Sequence, residues 1–497
     1  MKDIIEILNR NGGMLTSDLS AELVKRGYSE VAARQKISRS YYSSNGQILK
    51  LPYLTFPHRA KFAYLKNEGY SERFYNNLYN ALNKTNSVYR HTFNLLKTHY
   101  GVLNENRFRV YSSSPEISSK HINYATVLDN LIKLKLCEYK NINNVRYIYL
   151  TESAWDEKRA IAIEKIELLL VDMLKEWLKR TNFASYKAID KTRNYGYFYW
   201  DISAPSFISP FIIKDKPNDK KIKHGFVVAD VVYNIIDENT IKYFINKLNI
   251  VKANKNNRLV IPILMAQGYT QEAFNIGRSK GIVIVTPEIL FGKDIADMFE
   301  NLLYKLSNIA AAATKDIEEF LKLYDQLAKI EGAAAHLYGD LFEFIIGVIY
   351  REFLPITSLE IGKLISISTG DRKEIDVYIK TTDKKIYFIE CKGYSQKTTV
   401  AEKEAQYWVE KVPLLRKWGT ENIDNFDKLE QHYEFLTTSD FDAEAKQIFD
   451  EFNQKTKRYQ IEYMNGKQLL AFIKSKNIDS KDKIIKTLNE HYLKMEI

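Results

Sequence analysis

Residues 3–10 carry apolar side chains at the spacing of one helix face, which predicts an amphipathic helix at the start of the chain. Thr16-Ser17-Asp18 offers an N-cap for a second predicted helix that ends near Gly27, and a third helix is predicted to begin at Ser29-Glu30. The runs 48–51 and 61–65 have the apolar content of strands. Three short helices followed by a β-hairpin are therefore expected.

This order resembles a winged helix-turn-helix, in which the third helix enters the major groove of DNA. Arg34, Lys36 and Arg39 lie along the third predicted helix and suit contacts to phosphates or guanine edges. Helical patterns and a hairpin with an Asn-rich turn at 141–144 predict a second such module between residues 72 and 151. Winged helices also serve as protein-interaction modules, and that alternative stays open.

Beyond a long amphipathic helix at about 153–182, strand-like runs alternate with helical segments, which is typical of α/β domains. In the middle of the chain, strands are predicted at Tyr197–Ile202, Gly225–Tyr233, Leu259–Met265 and Ile282–Val285, with helices at about 239–248 and 270–280. The C-terminal part begins with a helix at about 333–353, and its strands are predicted at Leu359–Ile367, Glu374–Ile379, Ile386–Cys391, Tyr433–Thr437 and Tyr459–Tyr463, with helices at about 400–418 and 442–453. Two α/β domains in tandem are predicted.

The two α/β segments share a pattern in their second halves. Leu264–Ala273 aligns without a gap to Leu436–Ala445, at a constant offset of 172 residues, and Glu272 then matches Glu444. A repeated βαβ unit indicates one fold present twice. Chance similarity between two βαβ units is the alternative, because the identities are few.

Charged residues interrupt two successive apolar strands in the C-terminal part. Asp376 lies on the first strand, and Glu390 and Lys392 lie on the second, after a turn at 382–383. Because side chains alternate between the faces of a strand, Glu390 and Lys392 share a face while Cys391 points to the core. A hairpin-like pairing brings Asp376 beside Glu390. Two carboxylates are suitable ligands for Mg²⁺, and an adjacent lysine can stabilise charge developing on a phosphate.

This arrangement, with Glu343 on the preceding helix, resembles the PD-(D/E)XK nuclease superfamily. The later segment 435–445 resembles the closing half of Mrr-type restriction endonuclease domains, so that the resemblance covers about residues 330–475. It departs from the family pattern at Ile375, which stands where the family name has proline. A Gln-x-x-x-Tyr element is not clear either, because Gln406 is followed by Glu410.

The resemblance implies a role for each site residue. Asp376 and Glu390 would bind Mg²⁺, with Mn²⁺ as a substitute, together with the backbone carbonyl of Cys391. Lys392 would assist the attacking water, and Glu343 would help with the metal. An ordinary surface salt-bridge cluster is the alternative interpretation, since an Asp…Glu-x-Lys pattern by itself is common.

The middle copy lacks part of this chemistry. Asp201 and Asp230 occupy the positions of the two carboxylates, but the position of Lys392 falls on Val232. Valine can neither orient water nor stabilise charge. Residues of about 155–300 are therefore predicted to form an inactive nuclease-like domain, used as a scaffold or as a DNA-contact surface.

The net charge of +11 is concentrated in one part of the chain. Residues 1–150 hold 22 Lys and Arg against 11 Asp and Glu, whereas the other 347 residues hold 51 of each kind. A basic module on a neutral body is typical of a nucleic-acid-binding domain joined to a second function. This concentration favours double-stranded DNA as the partner.

Cysteine content and hydropathy indicate the redox compartment of the protein and whether it spans a membrane. Two cysteines, Cys137 and Cys391, exclude a disulfide framework and favour a reducing cytoplasm. The start of the chain is charged and amphipathic, unlike a signal peptide, and the apolar stretch at 344–350 is too short to span a bilayer. A soluble protein without a membrane partner is expected.

The predicted architecture combines α+β and α/β domains, and its layout resembles that of type IIS restriction endonucleases. The expected segments are a winged helix, a second winged-helix-like domain, a degenerate nuclease-like domain, a helical linker and a PD-(D/E)XK nuclease domain, at residues 1–70, 71–152, 153–300, 301–332 and 333–497. A Mg²⁺-dependent restriction endonuclease is the expected function, with transient dimerisation through the nuclease domain. A structure-selective or transposition-associated nuclease and a non-catalytic DNA-binding regulator are the alternatives.

Overall fold

The chain is described by a computed structural model that covers residues 1–54, 56–85, 87–116, 121–143, 145–151, 155–189, 194–206, 208, 212–214, 222–254, 258–307, 334–366, 372–394, 398–456 and 459–493. It separates into two compact units. The first unit contains Met1–Tyr139, Ile148–Ala160 and Leu178–Leu290, and the second contains Lys140–Tyr147, Ile161–Trp177 and Phe291–Ile497. Helices and sheets occur in both units, so the expected mixed α/β class is confirmed.

The N-terminal segment contains the three helices and the hairpin that the sequence predicts. Its elements are α1 (Lys2–Asn11), β1 (Met14–Leu15), α2 (Thr16–Lys25), α3 (Glu30–Ser43), β2 (Ile48–Lys50) and β3 (Phe62–Leu65). The strands form a sheet in the order β1-β3-β2. The third helix begins at Glu30 as predicted, and Ser29 caps it by accepting a hydrogen bond from the Ala32 amide. Thr16 does not cap α2, because it is already helical and its hydroxyl accepts a hydrogen bond from the Lys61 amide at 3.0 Å.

The following segment repeats this order of elements. It comprises α4 (Glu72–Lys84), α5 (Val88–Thr98), β4 (Val102–Asn104), α6 (Glu105–Tyr111), α7 (Tyr124–Lys133), β5 (Cys137–Ile142) and β6 (Val145–Leu150). From α5 onward the succession of helices and strands is that of the first segment, and the strand order β4-β6-β5 matches β1-β3-β2. Residue 144 of the predicted turn lies outside the described residues.

The middle of the chain contains a second kind of sheet. Its elements are α8 (Glu157–Arg180), β7 (Asn194–Tyr195), β8 (Phe198–Tyr199), β9 (Ile202–Ser206), β10 (Ile212–Lys214), β11 (Ile222–Ile236), α9 (Lys242–Ala253), β12 (Val260–Tyr269), α10 (Gln271–Ser279), β13 (Val283–Val285), α11 (Pro287–Phe291) and α12 (Lys293–Ser307). The predicted strand Tyr197–Ile202 is wrong. Gly196 and Tyr197 have φ values of 60° and 71° and turn the chain between β7 and β8, so that β9 begins only at Ile202.

The C-terminal elements closely follow the predicted ones as far as the strand that ends at Met464, and two further helices come after it. They are α13 (Ala334–Phe353), β14 (Ile356–Ser366), β15 (Arg372–Thr381), β16 (Lys385–Lys392), α14 (Glu402–Asn422), β17 (Glu430–Thr437), α15 (Ala443–Lys455), β18 (Ile461–Met464), α16 (Gly466–Ser475) and α17 (Lys481–Leu488). Buried aromatic residues from the sheet and from α14 and α15, among them Phe388, Trp408, Phe435 and Phe449, form the core of one face. Most of the predicted linker, residues 308–332, lies outside the described residues.

The two sheets share one strand topology. In the middle copy β11 is antiparallel to β9 and parallel to β12, which is parallel to β13. In the C-terminal copy β16 is antiparallel to β15 and parallel to β17, which is parallel to β18. A helix connects the parallel strands at the same points, as right-handed βαβ crossovers require. The repeat that the sequence indicates is therefore present in the topology.

The register corrects the ungapped sequence alignment by one residue. Leu264 corresponds to Phe435 rather than to Leu436, because Leu264 and Phe435 each pair with the acidic residue of the preceding strand. The next helix caps, Thr270 and Asp442, keep the offset of 172 and accept hydrogen bonds from alanine amides three residues later. The C-terminal copy thus has one additional residue between the strand and the helix.

Among the described residues, no helix combines the length and the apolar character needed to cross a membrane. Cys137 and Cys391 are both buried free thiols.

Candidate active site

The pairing of β15 with β16 places the two predicted carboxylates side by side. Val377 lies opposite Ile389 in this antiparallel pair, so the next position brings Asp376 opposite Glu390. The amide of Cys391 donates a hydrogen bond of 2.7 Å to Oδ2 of Asp376, which fixes that carboxylate against the neighbouring strand. Both carboxylates are buried.

Lys392 lies on the side of the site that solvent reaches. Its Nζ is 2.7 Å from Oε1 of Glu390 and 3.9 Å from Oδ2 of Asp376, and its side chain is 27% exposed. Cys391, between the two charged residues, is buried as the strand alternation predicts. Burial raises the pKa of its thiol well above the ordinary value, which indicates a core residue rather than a nucleophile.

A second lysine, which the sequence analysis missed, binds Glu390 from the buried side of the site. Lys411 of α14 places Nζ 2.6 Å from Oε2 of Glu390, and its side chain is only 2% exposed. It stands on the apolar stripe of the helix, beside the buried residues Trp408, Val412 and Leu415. A lysine within such a stripe is a detectable signal, because lysine is almost never fully buried unless it is paired.

On α14, the two residues compared with the Gln-x-x-x-Tyr element each lie one position before a residue that faces the site. Gln406 and Glu410 are exposed and hydrogen-bond each other at 2.8 Å. Tyr407 and Lys411 lie on the inner side of the helix. Burial raises the pKa of Tyr407, while the charge of Lys411 acts to lower it and that of Glu390 to raise it. The 3.6-residue period of the helix accounts for the difference, since a shift of one position rotates a side chain by about 100°.

The electrostatics differ between the two carboxylates. Burial raises the pKa of Asp376 to about 7, and the negative charge of Glu390 adds to this rise. Burial also acts to raise the pKa of Glu390, but the ammonium groups of Lys392 and Lys411 outweigh it and lower that pKa to about 2. Glu390 is therefore the permanent anion, and a cation entering the site competes with a proton on Asp376.

The donor set suits a hard divalent cation. Within the described part of the chain, the hydrogen bond and the ion pair of Asp376 both use Oδ2, which leaves Oδ1 available to a ligand. Oε1 of Glu390 is held by Lys392, the more exposed of the two lysines. Carboxylate oxygens of this kind are the ligands that Mg²⁺ and Mn²⁺ take in proteins. The carbonyl of Cys391 stays a predicted ligand.

Glu343 acts on the site through its charge. Together with Glu390 and Asp376 it raises the pKa of Lys392 well above the ordinary value, although burial opposes the rise. Glu343 does not, however, bring its carboxylate oxygens within 4.8 Å of both Asp376 and Glu390, since in the described residues such a grouping occurs only elsewhere. Its role at the metal stays a prediction.

That other grouping, His432, Glu434 and Glu462, lies on β17 and β18. His432 Nδ1 is 3.4 Å from Oε1 of Glu462, and Glu434 accepts a hydrogen bond from the Tyr350 hydroxyl. The members thus have protein partners already. Burial raises the pKa of Glu434 to about 7.

Glu434 makes the free energy of unfolding dependent on pH. The folded state holds a proton on Glu434 up to about pH 7, whereas an unfolded glutamate loses it near 4.5, so stability falls as the pH rises from 4.5 through 7. At most about 3 kcal/mol is lost over this range. We expect Glu434→Gln to be the more stable protein above pH 7 in thermal melts, whereas Glu444→Gln, at an exposed position on α15, should follow the wild type. Equal pH profiles for wild type and Glu434→Gln would contradict this.

The corresponding position in the middle copy is a closed ionic cluster. Asp201 Oδ2 accepts a hydrogen bond from the Val231 amide at 2.9 Å, as Asp376 does from Cys391, and Asp230 is bound by Lys247 at 2.6 Å. Arg107 of α6 forms an ion pair with Asp201 and donates to the Val231 carbonyl at 2.9 Å. All four charged side chains are at most 4% exposed. Protein cations compensate both acids, and solvent has no access to them.

The three basic residues predicted to contact DNA have different surroundings. Lys36 is turned towards α1, where its Nζ lies 2.6 Å from Oδ2 of Asp3. Arg34 and Arg39 are exposed, and Arg34 makes only a surface ion pair of 3.3 Å with Glu30. Lys36 is therefore held by a partner within the first segment, whereas Arg34 and Arg39 extend into solvent. Contact of these residues with DNA stays a prediction.

Arg34 lines a groove of about 1080 Å³ between α2, α3 and the chain that leads into β3. Five cationic side chains line this basic groove against a single acidic one, Glu30; they are Arg34, Lys50, Arg59, Lys61 and Lys84. Partial burial, together with the charge of Lys61, lowers the pKa of Lys50. Lys84 is paired with Asp18 at 2.7 Å. Arg39 does not line the groove.

No protein family and no curated protein matches the chain. Among solved structures, a chain described as "Crystal Structure of Protein of Unknown Function AF1548" matches 31% of this chain and 78% of its own length, at 17% identity and a TM-score of 0.19. A likeness at that score carries no argument about fold or function.

Proposed function

We propose that this protein is a metal-dependent endonuclease that hydrolyses phosphodiester bonds of DNA at the Asp376–Glu390–Lys392 site. The convergence of two buried carboxylates and a partly exposed lysine on paired strands carries the proposal. Buried charges are costly to maintain and concentrate at functional sites. The topology of β14 to β18, with α13 before it and α14 across it, is compatible with a restriction-endonuclease-like domain.

Each residue of the site has a proposed role that follows from its position. Asp376 and Glu390 would hold Mg²⁺ through Oδ1 and Oε1, and the bound cation would neutralise charge on the phosphodiester and activate water. Lys392 is the group that reaches solvent, so it would contact a phosphate oxygen and stabilise the negative charge that develops there. The buried Asp376 carboxylate is itself kept in place by the hydrogen bond from the Cys391 amide.

The middle copy is proposed to be catalytically inactive. Val232 stands at the position of Lys392, and Arg107 and Lys247 occupy the space beside the two acids with their own charges. A divalent cation would have to displace a buried guanidinium, at a cost of several kcal/mol. A scaffold role within the first unit fits this closed cluster.

The basic groove is proposed as the contact to double-stranded DNA. The helix and strand order of the N-terminal segment is compatible with a winged helix, and the groove adds five cations beside its third helix. Lysine and arginine on such a surface bind phosphates and release counterions, which makes the affinity salt-dependent. Arg34 stays a predicted contact, while Arg39 would contact DNA only beyond the groove.

Replacing one groove lysine tests this contact. Affinity for DNA falls as salt rises, and Lys61→Gln is expected to make this fall less steep, by about 1 in the slope of log affinity against log salt. Binding to unrelated duplexes should weaken uniformly. The control is Lys25→Gln on α2, whose side chain is 73% exposed outside the groove. Fluorescence anisotropy at several salt concentrations measures both. Equal slopes for the two variants would remove the groove from the interface.

Incubation of the full chain with a mixture of plasmids, in Mg²⁺ and separately in EDTA, tests the proposed activity. Discrete fragments that appear only in Mg²⁺ would support a sequence-specific restriction endonuclease. A smear would favour a nonspecific or structure-selective nuclease, and no cleavage would leave a DNA-binding regulator. Because one site cuts one strand, nicked circles should precede linear DNA, and a transient dimer would make the second cut faster at higher protein concentration.

A further inference from the structure

Lys411 has no part in the steps described so far except as a neighbour of Glu390. Its Nζ lies 2.6 Å from Oε2 of Glu390, while Lys392 lies 2.7 Å from Oε1, so each oxygen of this carboxylate has its own ammonium. Lys411 is also within 5.1 Å of the Trp408 ring centre, on the inner face of α14. Both lysines are therefore bound to one acid, from opposite sides.

Burial distinguishes the two lysines. The Lys392 side chain is 27% exposed and that of Lys411 is 2% exposed. A cation or phosphate arriving from solvent meets Lys392 and Oε1 first. Lys392 can leave Glu390 and regain hydration, whereas Lys411 would have to remain unpaired among apolar side chains, which is strongly unfavourable. Lys392 is thus the exchangeable partner and Lys411 the fixed one.

In the middle copy too, a buried helix lysine is paired with the acid of the second strand. Lys247 of α9 lies 2.6 Å from Oδ2 of Asp230, and both side chains are fully buried. It also stands on the apolar stripe of its helix, next to Phe244 and Leu248. This lysine is present although the position of Lys392 is Val232. A helix lysine bound to the second-strand acid therefore occurs without the proposed catalytic lysine, which indicates that it holds the acid.

We propose that Lys411 is a positioning residue that keeps Oε2 of Glu390 in place while Lys392 yields Oε1 to a divalent cation. The inference rests on the proposed nuclease function. It makes Glu390 a ligand through one oxygen only. It also means that without Lys411 two buried carboxylates would face a single ammonium, so that a divalent cation would compensate a larger excess of negative charge.

The test compares Lys411→Met and Lys411→Arg with the wild type and with Lys417→Met, a control on the same helix whose side chain is 55% exposed. Plasmid cleavage is measured at saturating Mg²⁺. Separately, without DNA, the rise in melting temperature on adding MnCl₂ to the metal-free protein is measured. We expect cleavage by Lys411→Met to fall about 10- to 100-fold, with partial recovery in Lys411→Arg. The Mn²⁺-induced rise should be larger in Lys411→Met than in the wild type.

Cleavage by Lys411→Met within about threefold of wild type, with an equal Mn²⁺ shift, would overturn the inference, since outer residues of metal sites cost more than this. If Lys411→Met does not fold, Lys411→Arg decides: cleavage within about tenfold supports a positioning role, and a folded variant that loses more than about a hundredfold contradicts it. If the wild type itself does not cleave, the nuclease proposal fails, and the Mn²⁺ shifts alone decide the role of Lys411.

Discussion

Lys392→Met is expected to lower Mg²⁺-dependent DNA cleavage by about 10²- to 10³-fold, because it removes the group proposed to stabilise charge developing on the phosphate. The fold should persist, since Lys392 is partly exposed and Glu390 keeps its ion pair with Lys411. Single-turnover cleavage of a plasmid at saturating Mg²⁺ measures the rate, and a thermal melt of the same sample checks the fold.

The matched control for this substitution is Lys385→Met, at the start of the same strand. Lys385 is 32% exposed and forms an ion pair of 3.5 Å with Glu430, away from the carboxylates. A surface pair of this kind is worth about 0–1 kcal/mol, so cleavage should stay close to that of the wild type. Equal activity of Lys392→Met and Lys385→Met would remove Lys392 from the reaction and leave the salt-bridge interpretation of the cluster.

Arg107→Met is expected to destabilise the first unit by about 3–5 kcal/mol, because it leaves Asp201 buried without its cation. The Val231 carbonyl loses its hydrogen bond from Arg107 but keeps the one from the Tyr111 hydroxyl at 2.6 Å, so the expected loss comes mainly from the unpaired acid. Thermal or urea unfolding followed by circular dichroism measures the change. The loss should appear in the absence of DNA and of metal, since the cluster is proposed to be structural.

Arg109→Met, two residues later on the same helix, is the control. Arg109 makes two hydrogen bonds to the Glu116 carboxylate, at 2.9 and 2.6 Å, but its side chain is 30% exposed, so the expected cost is about 1 kcal/mol and well below that of Arg107→Met. If both variants melt like the wild type, the middle cluster is not an essential part of the fold. In that case the proposed inactivity of this copy would rest on Val232 and on the buried pair of Asp230 with Lys247.

Local rules were sufficient for much of the proposed site. The two-residue period of a strand places Glu390 and Lys392 on one face and Cys391 on the other, and a short turn brings Asp376 opposite Glu390. These relations depend on neighbours along the chain or across one hairpin. The α/β alternation of the second half was predictable for the same reason, since periodicity switches visibly between strand and helix.

Positions that depend on distant contacts were not predictable in this way. Lys411 reaches Glu390 across 21 residues, and Arg107 reaches Asp201 across 94. No local pattern specifies such partners, although a lysine on an apolar stripe marks a position that must find one. The placement of Lys36 was missed for the same reason, because Asp3, its partner, belongs to another helix.

The sequence by itself determined most of the helices and strands, the pairing of Asp376 with Glu390, and the concentration of positive charge in residues 1–150. Each of these follows from periodicity, a short turn or composition. Only the tertiary structure decided which cations compensate the buried acids. In one copy they are Lys392 and Lys411, with one side open to solvent, and in the other Arg107 and Lys247 in a closed cluster. The physical reason is that a charge is stable in the interior only beside its partner, and packing of separate elements chooses that partner.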